Sequence, residues 1–189
     1  MSIMRFFGNK NLLFSFFFCH VFVVNSQEIT KEHFKQILAN SYIIINYLEK
    51  KDIDNAELYL KLSPSDAKKL KISLSNGFNI ESARPLPYFL LTDTPNKFNM
   101  VITGFDILDK VDNEEYPRGD YYFVIRSEVV IDVENQVINF IKSDVITSDD
   151  EINKWWLSRY KTYVDKTLLV RDKYGFVPPP PPLPPKNLK

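Results

Sequence analysis

The stretch YYFVIRSEVVIDVENQVINFIKSDVIT, residues 121–147, decides how the rest of the chain is read. Between positions 121 and 133 the odd places hold Tyr121, Phe123, Ile125, Ser127, Val129, Ile131 and Val133, while the even ones include Arg126, Glu128 and Asp132. A period of two specifies a strand with one apolar and one mixed polar face. A second strand follows at 137–147. Glu134, Asn135 and Gln136 between them suit a hairpin loop, with Asn135 tolerant of a left-handed backbone. That loop sets Val133 opposite Val137, and therefore Val129 opposite Ile141, Ser127 opposite Ser143 and Ile125 opposite Val145. On the polar face Arg126 meets Asp144 and Glu128 meets Lys142. Such cross-strand pairs contribute about 0.2–1 kcal/mol each. A one-residue slip would place Ile125 against Asp144 and lose both charge pairs.

Upstream, residues 97–109 form a strand whose apolar parity changes: Phe98, Met100 and Ile102 share one phase, Phe105 and Ile107 the other. Gly104 lies at the switch, which predicts a β-bulge there that keeps one apolar face inward. Residues 88–92 are a short strand, placed at a sheet edge by Pro85 and Pro87. Before Gly77 the texture is helical. Phe34, Ile37, Leu38, Tyr42, Ile45 and Leu48 trace one stripe of a helix over 30–50. Asp52 or Asp54 can cap a second helix reaching about Leu62, with Leu58, Tyr59 and Leu62 on its stripe. Ser63 before Pro64 marks a third helix, and Asn76-Gly77 closes it.

Downstream, Ser148 and Glu151 have capping-box spacing. The helix they open carries Ile152, Trp156, Tyr160, Tyr163 and Val164 on its buried stripe and packs across the sheet's inner face. Residues 178–185 are proline except for Leu183, which predicts an extended polyproline rod of roughly 25 Å, at about 3.1 Å per residue. The fold class is thus α+β: N-terminal helices, a four-stranded antiparallel meander, a C-terminal helix packed on the sheet, and a polyproline tail.

The first residues have a separate role. Arg5 and Lys10 precede a mainly apolar run over 12–24, followed by Asn25, Ser26 and Gln27. This is the layout of a signal peptide over 1–26, cleaved before Gln27. The run is shorter than the about 20 residues of a membrane span. The expected division is signal peptide 1–26, a single globular domain 27–177 and a proline-rich tail 178–189. The only cysteine, Cys19, leaves with the signal, so no disulfide supports the mature domain. No Asn-x-Ser/Thr sequon occurs. Both traits suit a bacterial envelope, with a periplasmic or extracellular location.

Composition excludes several chemistries. The formal net charge is +0, and no basic surplus points to nucleic acid. His20 leaves with the signal, so His33 is the sole mature imidazole; it reads as a surface histidine beside Phe34. Zinc, cysteine-nucleophile and Ser-His-Asp sites therefore lack their parts. No glycine-rich phosphate loop occurs. Asp109, Asp112, Glu114 and Glu115 lack calcium-loop spacing, and no cofactor is expected. Glu128, Asp132 and Asp144 could form a hydrolytic carboxylate pair, but Glu128 and Asp144 face bases across the hairpin. Arg118-Gly119-Asp120 spells an adhesion tripeptide, for which a turn at Pro117 and Gly119 is sufficient explanation.

What remains is an exported, non-enzymatic protein-binding module, of the kind that includes immunity-type and envelope interaction proteins. Its partner is an unidentified protein, with no nucleic acid and no stable membrane insertion once the signal is removed. Pro181, Pro184 and Lys186 match a polyproline ligand pattern and are the candidate partner-binding residues. The alternatives are a carboxylate-dependent hydrolase of envelope polysaccharide and a small-ligand carrier. An enzyme needs a deep pocket with an unpaired acid, a carrier an enclosed apolar cavity, and a module a grooved surface with paired charges.

Overall fold

A computed structural model describes residues 29–76, 78, 84–94, 96–107, 118–132, 134–135, 137–175 and 182–185. Three helices come first: α1 (Lys31–Glu49), α2 (Ile53–Leu60) and α3 (Pro64–Ser75). Four strands follow, β1 (Arg84–Leu91), β2 (Lys97–Ile107), β3 (Gly119–Asp132) and β4 (Val137–Ile146), and then one long helix, α4 (Asp149–Tyr174). The sheet is an antiparallel meander in the order β1-β2-β3-β4. This is the α+β arrangement read from the sequence, with β1 and its prolines at the edge. The signal-peptide segment and the acidic residues 109–115 lie outside the described residues.

Local starts follow backbone chemistry. Asp52 and Ser63 cap α2 and α3 by accepting from the amides of Asn55 and Asp66, each filling an orphan donor of a first turn. At α1 the capping box is made by Thr30 and His33: His33 Nδ1 lies 3.2 Å from the Thr30 amide, and the Thr30 hydroxyl accepts from the His33 amide. His33 is therefore buried in a cap rather than exposed. Ser148 is the N-cap of α4 but makes no side-chain cap bond, so the expected capping box is not formed there.

Two corrections concern the helix stripes. Tyr42 and Leu58 are exposed, the latter by 68%. Their places on the inner faces are taken by Ser41 and Ile44 in α1 and by Ala56 in α2. Ser41 is tolerated there because its hydroxyl donates to Ile37 O at 2.8 Å. The segment after Lys166 continues as helix to Tyr174.

The sheet is buried on both faces, and this changes how its strands are read. One core lies between α1–α3 and the face carrying Phe89, Phe98, Met100, Ile102, Phe123, Ile125, Val129 and Ile131. The other lies between α4 and the face carrying Tyr88, Leu90, Val101, Phe105, Tyr121 and Val124. The inner face expected to receive α4 is thus the face opposite the N-terminal helices. At about 1.5 Å per residue the 26-residue α4 is long enough to leave that face. Its part up to Val164 puts Trp155, Trp156, Tyr160 and Val164 in the second core, and its end delivers Val170 and Tyr174 to the first. Tyr174 stacks on Phe34 with centroids 5.1 Å apart.

Two register shifts let the strands serve two cores. The shift expected at Gly104 is present between Gly104 and Phe105, but the extra residue is Tyr122 on β3, which sits between the partners Phe123 and Tyr121. Phe105 consequently stays in the second core instead of turning inward with Phe98. The hairpin pairs Ile125–Val145, Arg126–Asp144, Ser127–Ser143 and Glu128–Lys142 as read from the sequence. Beyond Glu128 a second shift pairs Val129 with Phe140 and Asp132 with Val137, leaving Ile141 unmatched and 54% exposed. A bulge at this point lets Ile138 and Phe140, as well as Ser143 and Val145, turn to the same core.

Candidate functional site

The polar stretch of β3 and β4 forms the floor of an open groove walled by α4. Two adjoining cavities of about 240 and 470 Å³ share Arg126, Asp144, Trp155 and Arg159, and a third of about 100 Å³ continues past Arg159 and Tyr163 to Lys166. The groove exists because α4 anchors through Trp156 and Tyr160 to one side of its axis. Trp155 and Arg159 then fall at the rim, four residues apart on one helix face.

Floor charges are neutralised in place. Arg126 Nε donates to Asp144 Oδ2 at 2.9 Å, and the guanidinium carbon lies 5.4 Å from the centre of the Trp155 ring. Glu128 stands opposite Lys142 in register but takes its ion pair from Lys97 on β2. Asp66 pairs with Lys69 at 3.0 Å. Burial works against the Asp66 anion, but hydrogen bonds from Ser63, Lys69 and the Val145 amide outweigh it and hold the carboxyl below its usual range. Asp66 and Lys69 also reach the amide and carbonyl of Val145, each at 3.4 Å, covering part of the outer edge of β4.

The rim is different. Lys142, Lys154, Arg159 and Lys166 line the groove and form no ion pair among the described residues. Tyr163 stands against Trp155 at 4.9 Å, and burial pushes its phenol up to about 12. The groove thus offers aromatic surface, a paired floor and four rim cations without an ion partner among the described residues, with the exposed carboxylate of Glu151 also on its lining. Among the described residues no group of three or more His, Cys, Asp or Glu could hold a metal ion, and no helix is long and apolar enough to cross a membrane.

Of the sequence-derived candidates, Pro181 and Lys186 lie outside the described residues. Pro184 is buried, and its carbonyl accepts from Arg118 Nη1 at 2.5 Å. Residues 182–185 lie along the start of β3 rather than projecting as a rod. Leu183 O accepts from the Gly119 amide at 2.7 Å, Leu183 bridges Arg118 in parallel, and the Tyr121 hydroxyl donates to Pro182 O. Arg118 and Gly119 of the adhesion-like tripeptide are engaged in this contact. The groove residues on α4 were missed because Trp155 and Arg159 flank a stripe whose apolar members drew the reading; the bases at Lys154 and Arg159 beside that stripe were the available signal. The chain matches no protein-family model, no curated protein and no solved structure.

Proposed function

We propose that this chain is an exported, non-enzymatic protein-binding module that receives an acidic segment of a partner protein in the groove beside α4. The observation that carries this reading is the separation of charge in that groove. Its floor acids Asp66, Glu128 and Asp144 are each held by a base, while Lys142, Lys154, Arg159 and Lys166 at the rim have no ion partner among the described residues. An approaching carboxylate would meet cations already directed to solvent and would have no internal ion pair to break. Half-buried Tyr163 adds aromatic surface beside these cations, with Trp155 buried behind it, and aromatic and arginine side chains are where interface affinity concentrates. Export rests on the layout of residues 1–26.

The hydrolase alternative draws less support, because a general acid must hold its proton and a nucleophilic carboxylate must reach substrate. The three floor acids instead face guanidinium or ammonium groups, and Glu151, the remaining acid of the lining, stands exposed at the open rim. A small-ligand carrier would need an enclosed apolar cavity, whereas these cavities are open and charged.

The reading is tested by selecting binders from a displayed random-peptide library on the mature chain. Selected sequences should be rich in Asp and Glu. Their affinity should fall at least about tenfold in Arg159→Glu with Lys154→Glu, in line with electrostatic complementarity across an interface. Binders indifferent to those charges would reject the groove. Release of sugar from envelope polysaccharide by the purified chain, abolished by Asp144→Asn, would replace the proposal with the hydrolase.

A further inference from the structure

The seat of the proline segment is built as a recognition site. Three successive carbonyls, of Pro182, Leu183 and Pro184, accept in turn from the Tyr121 hydroxyl, the Gly119 amide and the Arg118 guanidinium. Pro182, Pro184 and Pro185 have no N–H, so the segment presents almost only acceptors, and the seat answers with donors from Arg118 and the first residues of β3. Shape agrees with this chemistry. A Cβ on Gly119 would lie 2.6 Å from Pro182 Cγ, so only glycine lets the ring approach. Pro182 and Pro184 are buried, and Leu183 packs on the second core. Tyr121 is itself buried, and that burial holds its phenol well above its usual range, so it remains a donor.

We propose that Arg118, Gly119 and Tyr121 form a binding site for polyproline segments, loaded in cis by this chain's own residues 182–185 and open to a proline-rich segment of another protein when these leave. The donors recognise main-chain carbonyls, which any polyproline II strand of the pattern Pro-x-Pro presents. The tethered segment competes at an effective concentration of roughly millimolar for a short connection. Occupancy in trans therefore requires either a tighter ligand or release of the tail.

The test uses the full chain carrying Pro182→Gly, Leu183→Ser and Pro184→Gly, which empties the seat. The probe is a blocked synthetic peptide of residues 181–186. The Gly119 amide resonance of this variant should shift saturably with the peptide, and wild type should bind at least about tenfold more weakly because its own tail competes. Adding Tyr121→Phe to the emptied chain should weaken binding, and a peptide with glycine for every proline should not bind. An unmoved Gly119 amide in the folded variant, or equal binding of the glycine peptide, overturns the proposal. If the triple variant does not fold, excess peptide added to wild type should move the Leu183 methyl resonances to free-chain positions; methyls that stay in place overturn it equally.

Discussion

Gly104 shows how one missing side chain settles the packing of a core. A Cβ there would lie 2.5 and 2.7 Å from the Phe123 ring and 3.0 Å from Phe78. Gly104→Ala should therefore cost about 1–3 kcal/mol through overpacking, measured by urea titration; a loss under a few tenths would mean that the rings yield freely. The sequence marked Gly104 as special, yet for the wrong reason: the extra residue of the bulge is Tyr122 on β3, and the apolar phase of β2 changes because its two faces serve two cores. Caps were read with similar unevenness. Ser63 and Asp52 act as their types suggest. His33 completes a capping box in which Glu or Gln would be expected, so no motif revealed it. Thr30→Ala should lower stability by about 1 kcal/mol, again by urea titration, and an unchanged midpoint would deny the box any energetic role.

At the scale of elements, the hairpin was legible where charges fix the register and illegible beyond them. Arg126–Asp144 constrains the pairing, and Glu128 stands opposite Lys142 although its ion pair goes to Lys97; past Glu128 the residues Val129, Val130 and Ile131 are all apolar, so alternation no longer decides it. The shift at Glu128 leads to paired expectations. Val129→Asp buries a charge at a fully enclosed position and should cost several kcal/mol, whereas Ile141→Asp, at an exposed position, should change stability by about 0.5 kcal/mol or less. Equal losses in denaturant titration would restore the unshifted register. The covering of both sheet faces was also present in the sequence. Tyr88 and Phe89, Val101 and Ile102, and Phe123 and Val124 are apolar neighbours pointing to opposite faces, which is the mark of a strand buried on both sides. The polar run at Arg126 and Glu128 obscured that signal, and this same run became the groove floor. Trp156, wholly enclosed, anchors α4 on that face, and Trp156→Ala should cost about 3–5 kcal/mol.

Across the whole molecule, the second core collects phenols whose ionisation burial opposes. Burial raises Tyr88 and Tyr121 well above the usual tyrosine value and Tyr163 to about 12. On the other face a hydrogen bond to Asp106 and then burial bring Tyr122 to about 12. Each group has a folded pKa above its unfolded value of about 10. The stability they contribute is complete below pH 10 and is lost as pH rises toward 12 and beyond. Phenolate absorbance should therefore lag behind that of free tyrosine and then rise together with the loss of circular dichroism. A smooth titration near pH 10 with the fold intact would contradict the burial of these phenols.

The groove is a charged feature, among the described residues, that connects α3, the sheet and α4. Its use as a partner surface is tested by placing a photo-crosslinking phenylalanine analogue at position 159 in one chain and at position 58, an exposed position of α2, in another. Both are expressed in the native host and irradiated. Position 159 should give one protein adduct, lost when Lys154→Glu and Lys166→Glu are added, and position 58 none. An adduct from position 58 with none from position 159 would contradict this use of the groove.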